Sequence, residues 1–182
     1  MKFTPTRISD VVVVDPEVHE DGRGFFMETW HERLFDEVGI HARFVQDNYT
    51  RSSRGTLRGL HYQVKKPQGK LIRVVVGEAF DVAVDLRQSS PTFGQWAGET
   101  LSAANKRSIW IPPGFAHGFI VTGDSAEMVY RCTDYYSRQH ERTLRWDDKD
   151  LAIDWPLTGI EQPVLSAKDA AGASLKDADV YA

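Results

Sequence analysis

The alternation of apolar and polar positions along this chain is that of short strands. Val11 to Val14 is a β-branched run closed by Asp15-Pro16. Phe25 to Thr29 reads as a second strand, after a glycine-flanked turn from Glu20 to Gly24. Strands are expected next over Arg43–Tyr49, Thr56–Gln63, Lys70–Val76 and Ala79–Leu86. In the last of these, Phe80, Val82, Val84 and Leu86 face one way and Asp81 and Asp85 the other. Four more short strands are expected near 95–101, 107–111, 118–122 and 126–133. Turns separate them at Ser52–Gly55, Lys65–Gly69, Gly77-Glu78 and Ser89–Pro91. One helix is expected early in the chain. Thr29-Trp-His-Glu32 has the spacing of a capping box, Leu34, Phe35 and Val38 form an apolar side, and Gly39 is the stop. From Asp147 onward the chain reads as irregular and polar, anchored by Trp155-Pro156. Many short strands punctuated by Gly and Pro predict an all-β sandwich or barrel, and one jelly-roll domain spanning 1–182 matches the length.

Composition narrows the class of protein. A chain of 182 residues, 41% hydrophobic and 26% charged, can bury a sizeable core as one soluble domain. A net charge of −4 argues against a nucleic-acid partner, so any useful positive charge must act locally. The single cysteine, Cys132, permits no intrachain disulfide, which fits a reducing compartment. No run approaches membrane-spanning length and the N-terminus has no apolar signal core. A cytoplasmic protein with no membrane partner is expected.

Two segments carry candidate chemistry. In Arg58-Gly-Leu-His61-Tyr-Gln63 a histidine lies inside an apolar strand, where burial is costly without a partner or a task. Taken alone it reads equally as a satisfied core histidine. In Pro112-Pro-Gly114-Phe-Ala-His117 a turn between strands projects a second histidine toward a barrel mouth. Together the two resemble the cupin pattern. Metal-binding cupins need His-x-His and a downstream Glu, whereas here the first motif is His61-Tyr-Gln63. The next twelve residues hold no carboxylate and instead carry Lys65, Lys66, Lys70 and Arg73. No metal is expected, and a cationic pocket suits an anionic ligand, with Arg23, Arg58 and Lys70 as candidate phosphate contacts. Gln46 and Asn48 are two apart and share a strand face. Arg58 and His61 are three apart, so a regular strand would point them to opposite faces. If both serve one ligand, the backbone must be irregular near Gly59.

The matching stretches run through nearly the whole chain. They are Asp21-Gly-Arg-Gly-Phe-Phe26, Phe44-Val-Gln-Asp-Asn48, Leu57-Arg-Gly-Leu-His-Tyr-Gln63, Gln68-Gly-Lys70 and Gly77 to Asp85. Ser90-Pro-Thr-Phe-Gly94, Trp110 to Gly118, Tyr135-Tyr136 and Leu165-Ser-Ala-Lys-Asp169 complete the set. In order and identity these segments resemble the dTDP-4-dehydrorhamnose 3,5-epimerases of deoxysugar biosynthesis. The resemblance implies a cofactor-independent, metal-free cupin that forms homodimers. It implies inversion of C3 and C5 of dTDP-4-dehydro-6-deoxy-D-glucose to give dTDP-4-dehydro-L-rhamnose. Both carbons are alpha to the C4 ketone, so each inversion needs a base on one face, an acid on the other and a cation near the ketone oxygen.

By resemblance, His61 is that base, Asp169 orients it, Tyr130 is the acid and Lys70 stabilises the enolate oxygen. Arg23, Glu28, Gln46, Asp47, Asn48, Arg58, Lys70, His117, Glu141 and Lys168 match substrate-binding positions, and Tyr136 matches an aromatic that stacks on thymine. Read without the resemblance, Asp169 is a helix cap, Tyr130 a half-buried strand aromatic and Tyr136 a surface tyrosine. Rival readings are a mono-epimerase or keto-isomerase on the same scaffold, a non-catalytic nucleotide-sugar binding module, and a metal-dependent cupin oxygenase. An N-terminal strand crossing to a partner subunit would account for Arg23 and Glu28 lying so early in the chain.

Overall fold

Two long strands carry the architecture of this protein, whose computed structural model describes residues 1–182. In chain order the elements are β1 (Lys2–Pro5), β2 (Val12–Asp15), β3 (Val18–Asp21), β4 (Gly24–Met27), α1 (Glu32–Glu37), β5 (Gln46–Ser53) and β6 (Leu57–Gln63). There follow β7 (Lys70–Asp85), β8 (Trp96–Ser102), β9 (Ser108–Ile111), β10 (Phe115–Cys132), β11 (Glu141–Thr143) and α2 (Ala167–Ala170). The sequence divides 70–86 and 118–133 into two strands each, but β7 and β10 run unbroken for 16 and 18 residues. The expected turn at Gly77 is instead a bulge, where the β7–β10 register slips between Val121 and Ala126. Gly77 has φ +75°, and a Cβ there would lie 1.7 Å from the Ser125 carbonyl oxygen, so only glycine allows the two backbones to meet.

At this bulge both long strands pass from one layer to the other. The front layer runs β1-β2-β9, then the N-terminal half of β7, the C-terminal half of β10, and β5. The back layer is β8, the C-terminal half of β7, the N-terminal half of β10, β6 and β11. The result is a jelly roll whose interior is packed by Ile72, Val74, Ile109, Phe119 and Met128. Val82, Val84 and Leu86 face outward from the back layer, where Leu144, Leu151 and Trp155 cover them. The segment beyond Asp147 is therefore a packed cover and not a loose tail. On the outer face of the front layer, Phe35 of α1 packs among Val12, Val14, Leu71 and Trp110.

The helix departs from its expected start. Its N-cap is His31, with no side-chain cap bond, so the Thr29–Glu32 capping box does not form. Gly39, at φ +81°, does end it. β3 and β4 form a separate two-stranded sheet, on which Phe25 and Phe26 are 58% and 67% exposed. No helix is long and apolar enough to cross a membrane.

Candidate active site

The site begins with a break in β6. Opposite β10, the register passes from His117–His61 to Phe119–Arg58, two steps on one strand against three on the other. Gly59 absorbs the extra residue at φ +121°, and a Cβ on it would lie 2.5 Å from the Gly118 Cα. The expected irregularity is present, and it turns Arg58 and His61 to the same side. Arg58 Nε donates to Ser52 Oγ at 3.0 Å, and Ser52 shares a face of β5 with Gln46 and Asn48.

A cavity of about 270 Å³ opens between the layers at this place. Gln46 and Asn48 reach it from β5, His61 from β6, Lys70 from β7 and Tyr130 from β10, with Tyr136 and Glu141 at the following segment. A larger groove, about 1040 Å³, lies beside β1 and β8, but no histidine, cysteine or tyrosine lines it. There Arg107 is held by Asp15 and Glu99 at 2.8 Å each. The histidine and tyrosine expected to move protons line the smaller cavity.

His61 Nε2 lies 2.5 Å from Asp169 Oδ1. Asp169 is buried, and its other oxygen accepts from Ser166 Oγ at 2.7 Å. Ser166 is the N-cap of α2 and accepts from the Asp169 backbone N–H, so this cap fixes the carboxylate behind the histidine. Burial by itself would raise the Asp169 carboxyl, but the bonds from His61 and Ser166 outweigh it and hold the pKa at about 2. An ionised carboxylate can only accept, so Nε2 carries the hydrogen and the other ring nitrogen is left basic.

Across the cavity, burial pushes the Tyr130 phenol up, partly offset by Arg58, and so keeps it a proton donor. Burial pulls the Lys70 ammonium down, opposed by Cys132, Asp81 and Glu141. At the rim, Tyr136 Oη donates to Glu141 Oε2 at 3.0 Å, and Lys168 Nζ donates to Glu141 Oε1 at 2.8 Å. His117 is buried beside the cavity without lining it, its Nε2 2.9 Å from Asp81 Oδ2.

Of the expected residues, Arg58, His117, Lys168 and Asp169 stand beside the cavity without lining it, and three more are turned or placed away from it. Asp47 lies on the opposite face of β5 from Gln46 and Asn48 and stands 4.0 Å from Arg131. Arg23 and Glu28 sit on and just after the β3–β4 hairpin, where Arg23 pairs with Asp21 at 2.5 Å. Two further residues stand at the site. Asp81, wholly buried, stands behind His117; its place opposite Val82 in an alternating strand was the available signal. Gln63, a poor metal ligand, hydrogen-bonds the 135–137 backbone instead. Nowhere do three His, Cys, Asp or Glu side chains converge as a metal would need.

The profile of the dTDP-4-dehydrorhamnose 3,5-epimerase family matches residues 5–177 of this chain. The Pseudomonas aeruginosa protein of that name is 54% identical over 182 residues, covering 100% of this chain and 99% of its own length. The Shigella flexneri protein of that name is 52% identical, again over 100% and 99% of the two chains. Among solved structures, the Legionella pneumophila dTDP-6-deoxy-D-glucose-3,5-epimerase in complex with dTDP-4-keto-L-rhamnose superposes with a TM-score of 0.94. It is 51% identical, over 98% of this chain and 94% of that one. With matches that span its whole length, the chain belongs to the dTDP-4-dehydrorhamnose 3,5-epimerase family.

Proposed function

We propose that this protein converts dTDP-4-dehydro-6-deoxy-D-glucose to dTDP-4-dehydro-L-rhamnose by inverting C3 and C5. The observation that carries this reading is that His61 and Tyr130 come from opposite layers and line one cavity. A sugar ring lying between the layers presents one face to each. His61 removes the proton from the carbon alpha to the ketone, and the electron pair moves onto the C4 oxygen as an enolate. The Lys70 ammonium stabilises that charge where it develops. Tyr130 returns a proton to the other face, which inverts the centre. Proton exchange with water then resets His61 and Tyr130 for the second carbon.

Around this machinery, Asn48, Arg58 and Glu141 hold the sugar and phosphates, and Tyr136 stacks on the thymine ring. Arg23 and Glu28 serve the cavity of a partner subunit in a homodimer. Supporting this is their place on a hairpin whose Phe25 and Phe26 remain exposed and where the only side-chain partner of Arg23 is its neighbour Asp21. No step calls for a cofactor.

The His61→Asn variant tests the base assignment, because asparagine keeps much of the shape and removes the basic nitrogen. Turnover should fall by roughly 10²–10⁴-fold with dTDP binding retained. Near-normal turnover would sink the assignment. A wild-type protein that binds the substrate yet never turns it over would favour the non-catalytic binding module.

A further inference from the structure

Residues 134–136, which carry Tyr136 to the cavity mouth, belong to no strand or helix. Apart from the Tyr135 N–H, which donates to Asp134 Oδ1, their hydrogen-bonded backbone groups are met by glutamine side chains. Gln68 Nε2 donates to the Asp134 carbonyl oxygen at 2.7 Å. Gln63 Nε2 donates to the Tyr135 carbonyl at 3.3 Å and to the Lys66 carbonyl at 2.8 Å. The Tyr136 backbone N–H donates to Gln46 Oε1 at 2.8 Å, and the Ser137 N–H to Gln63 Oε1 at 2.6 Å. Three glutamines thus hold four consecutive residues. They approach from β5, from the end of β6 and from the loop before β7.

Gln63 is the centre of this arrangement. It is only 3% exposed, and its amide bonds the loop through both its donor and its acceptor ends. Glutamate at that place would accept but not donate when ionised, and would bury a charge. Methionine would fill the space and meet neither backbone group. Gln46 is similarly engaged, with Oε1 on Tyr136 and Nε2 on Asn48 Oδ1 at 3.0 Å. Its amide is a brace for the loop before it is a contact for any ligand.

We infer that Gln63, with Gln46 and Gln68, is a positioning set that fixes Tyr136 for the nucleobase and so sets affinity for the nucleotide half of the substrate. The inference rests on the reading of Tyr136 as the residue that stacks on the base. A preformed aromatic face binds more tightly than one that must be ordered on binding, because the ordering cost is already met in the free protein. The clamp therefore acts on dTDP affinity through Tyr136, an effect to be separated from any direct contact made by these cavity-lining glutamines.

A double-mutant cycle on dTDP binding, read by titration calorimetry, tests this. Tyr136→Ala should weaken dTDP by roughly tenfold or more, the loss of one stacked base. Gln63→Met should weaken it by about tenfold, the effect of lost backbone hydrogen bonds. The two changes together should be no worse than Tyr136→Ala alone. Gln63→Glu should recover affinity as the pH is lowered, because a protonated carboxyl can donate again, whereas Gln63→Met should not. Additive losses, or wild-type affinity in Gln63→Met, would overturn the clamp. If Tyr136→Ala binds dTDP like the wild type, the stacking reading itself falls, and the clamp with it. If Gln63→Met does not fold, Gln68→Leu carries the same cycle, with the same non-additivity expected and additivity again overturning.

Discussion

At the residue scale, the proposed chemistry centres on the pair His61–Asp169. The carboxylate keeps the imidazole in one tautomer and one orientation, and Ser166 keeps the carboxylate in place. The same bonds couple the site to stability. With a folded pKa of about 2, below the unfolded value of roughly 3.9, ionised Asp169 stabilises the fold above about pH 4. That contribution, on the order of 2 kcal/mol, is lost as the pH falls from about 4 toward 2. Asp169→Asn removes the titration. The stability gap between wild type and variant, measured by denaturant unfolding, should be widest near neutrality and close toward pH 2. A gap independent of pH would show that Asp169 is not held ionised by these partners. Catalysis should also suffer in this variant, since an amide can donate to Nε2 and favour the wrong tautomer.

The sequence made His61 conspicuous as a polar residue in an apolar strand, and the alternation in 79–86 separated Asp81 from Val82. Asp169 was marked only by the family resemblance, not by its own pattern. The partners are 108 residues apart, and the sequence pattern around Asp169 is that of a helix cap, which it also is. A residue with both a local and a distant partner shows only the local one in sequence. Gln63 was hidden for a related reason: its partners are backbone groups, which no pattern of side chains announces.

At the scale of elements, strand periodicity located most of the sheet, and the departures have physical causes. The local pattern at Gly77 is that of a turn, because glycine commonly closes strands. Here it serves the crossing of two long strands, a long-range contact invisible to local pattern. The capping box failed because packing decided where α1 begins: Trp30, outside the helix, packs at a tilt on Phe35 with ring centroids 4.2 Å apart and edge-to-face on Phe44 at 4.6 Å. Gly59 was legible from the three-residue spacing of Arg58 and His61, a conflict that only an irregular strand resolves. Gly59→Ala should destabilise the protein by roughly 3 kcal/mol, since the new Cβ meets backbone atoms at a positive φ. It should also depress activity by shifting His61. A variant with wild-type unfolding midpoint and turnover would contradict this account of β6.

The β3–β4 hairpin makes a separate prediction. A lone two-stranded sheet carrying exposed Phe25 and Phe26 needs cover to be stable. If the cover is a second copy, the double change Phe25→Ser, Phe26→Ser should shift the sedimentation mass toward monomer and lower turnover. An unchanged dimer with full activity would remove the hairpin from the interface.

At the scale of the molecule, function follows from two layers facing each other across a narrow interior. A single sheet could offer a base or an acid to one face of a ring; in the proposed mechanism the jelly roll supplies both, because β6 and the C-terminal half of β10 lie in opposite layers. The segment beyond Asp147 supports this in two ways. Leu151 and Trp155 cover the outer face of the back layer, and α2 delivers Asp169 to His61. Its irregular sequence gave no periodicity to read, so its packing was the least legible part of the fold.

The most direct measurement is proton NMR of dTDP-4-dehydro-6-deoxy-D-glucose incubated with the protein in deuterated water. Abstraction by His61 followed by return of a solvent-derived proton from Tyr130 predicts loss of both the C3 and the C5 proton signals as product forms. Loss of one signal alone would mean that only one centre is inverted. Product formation with both protons retained would contradict the proton-transfer mechanism itself.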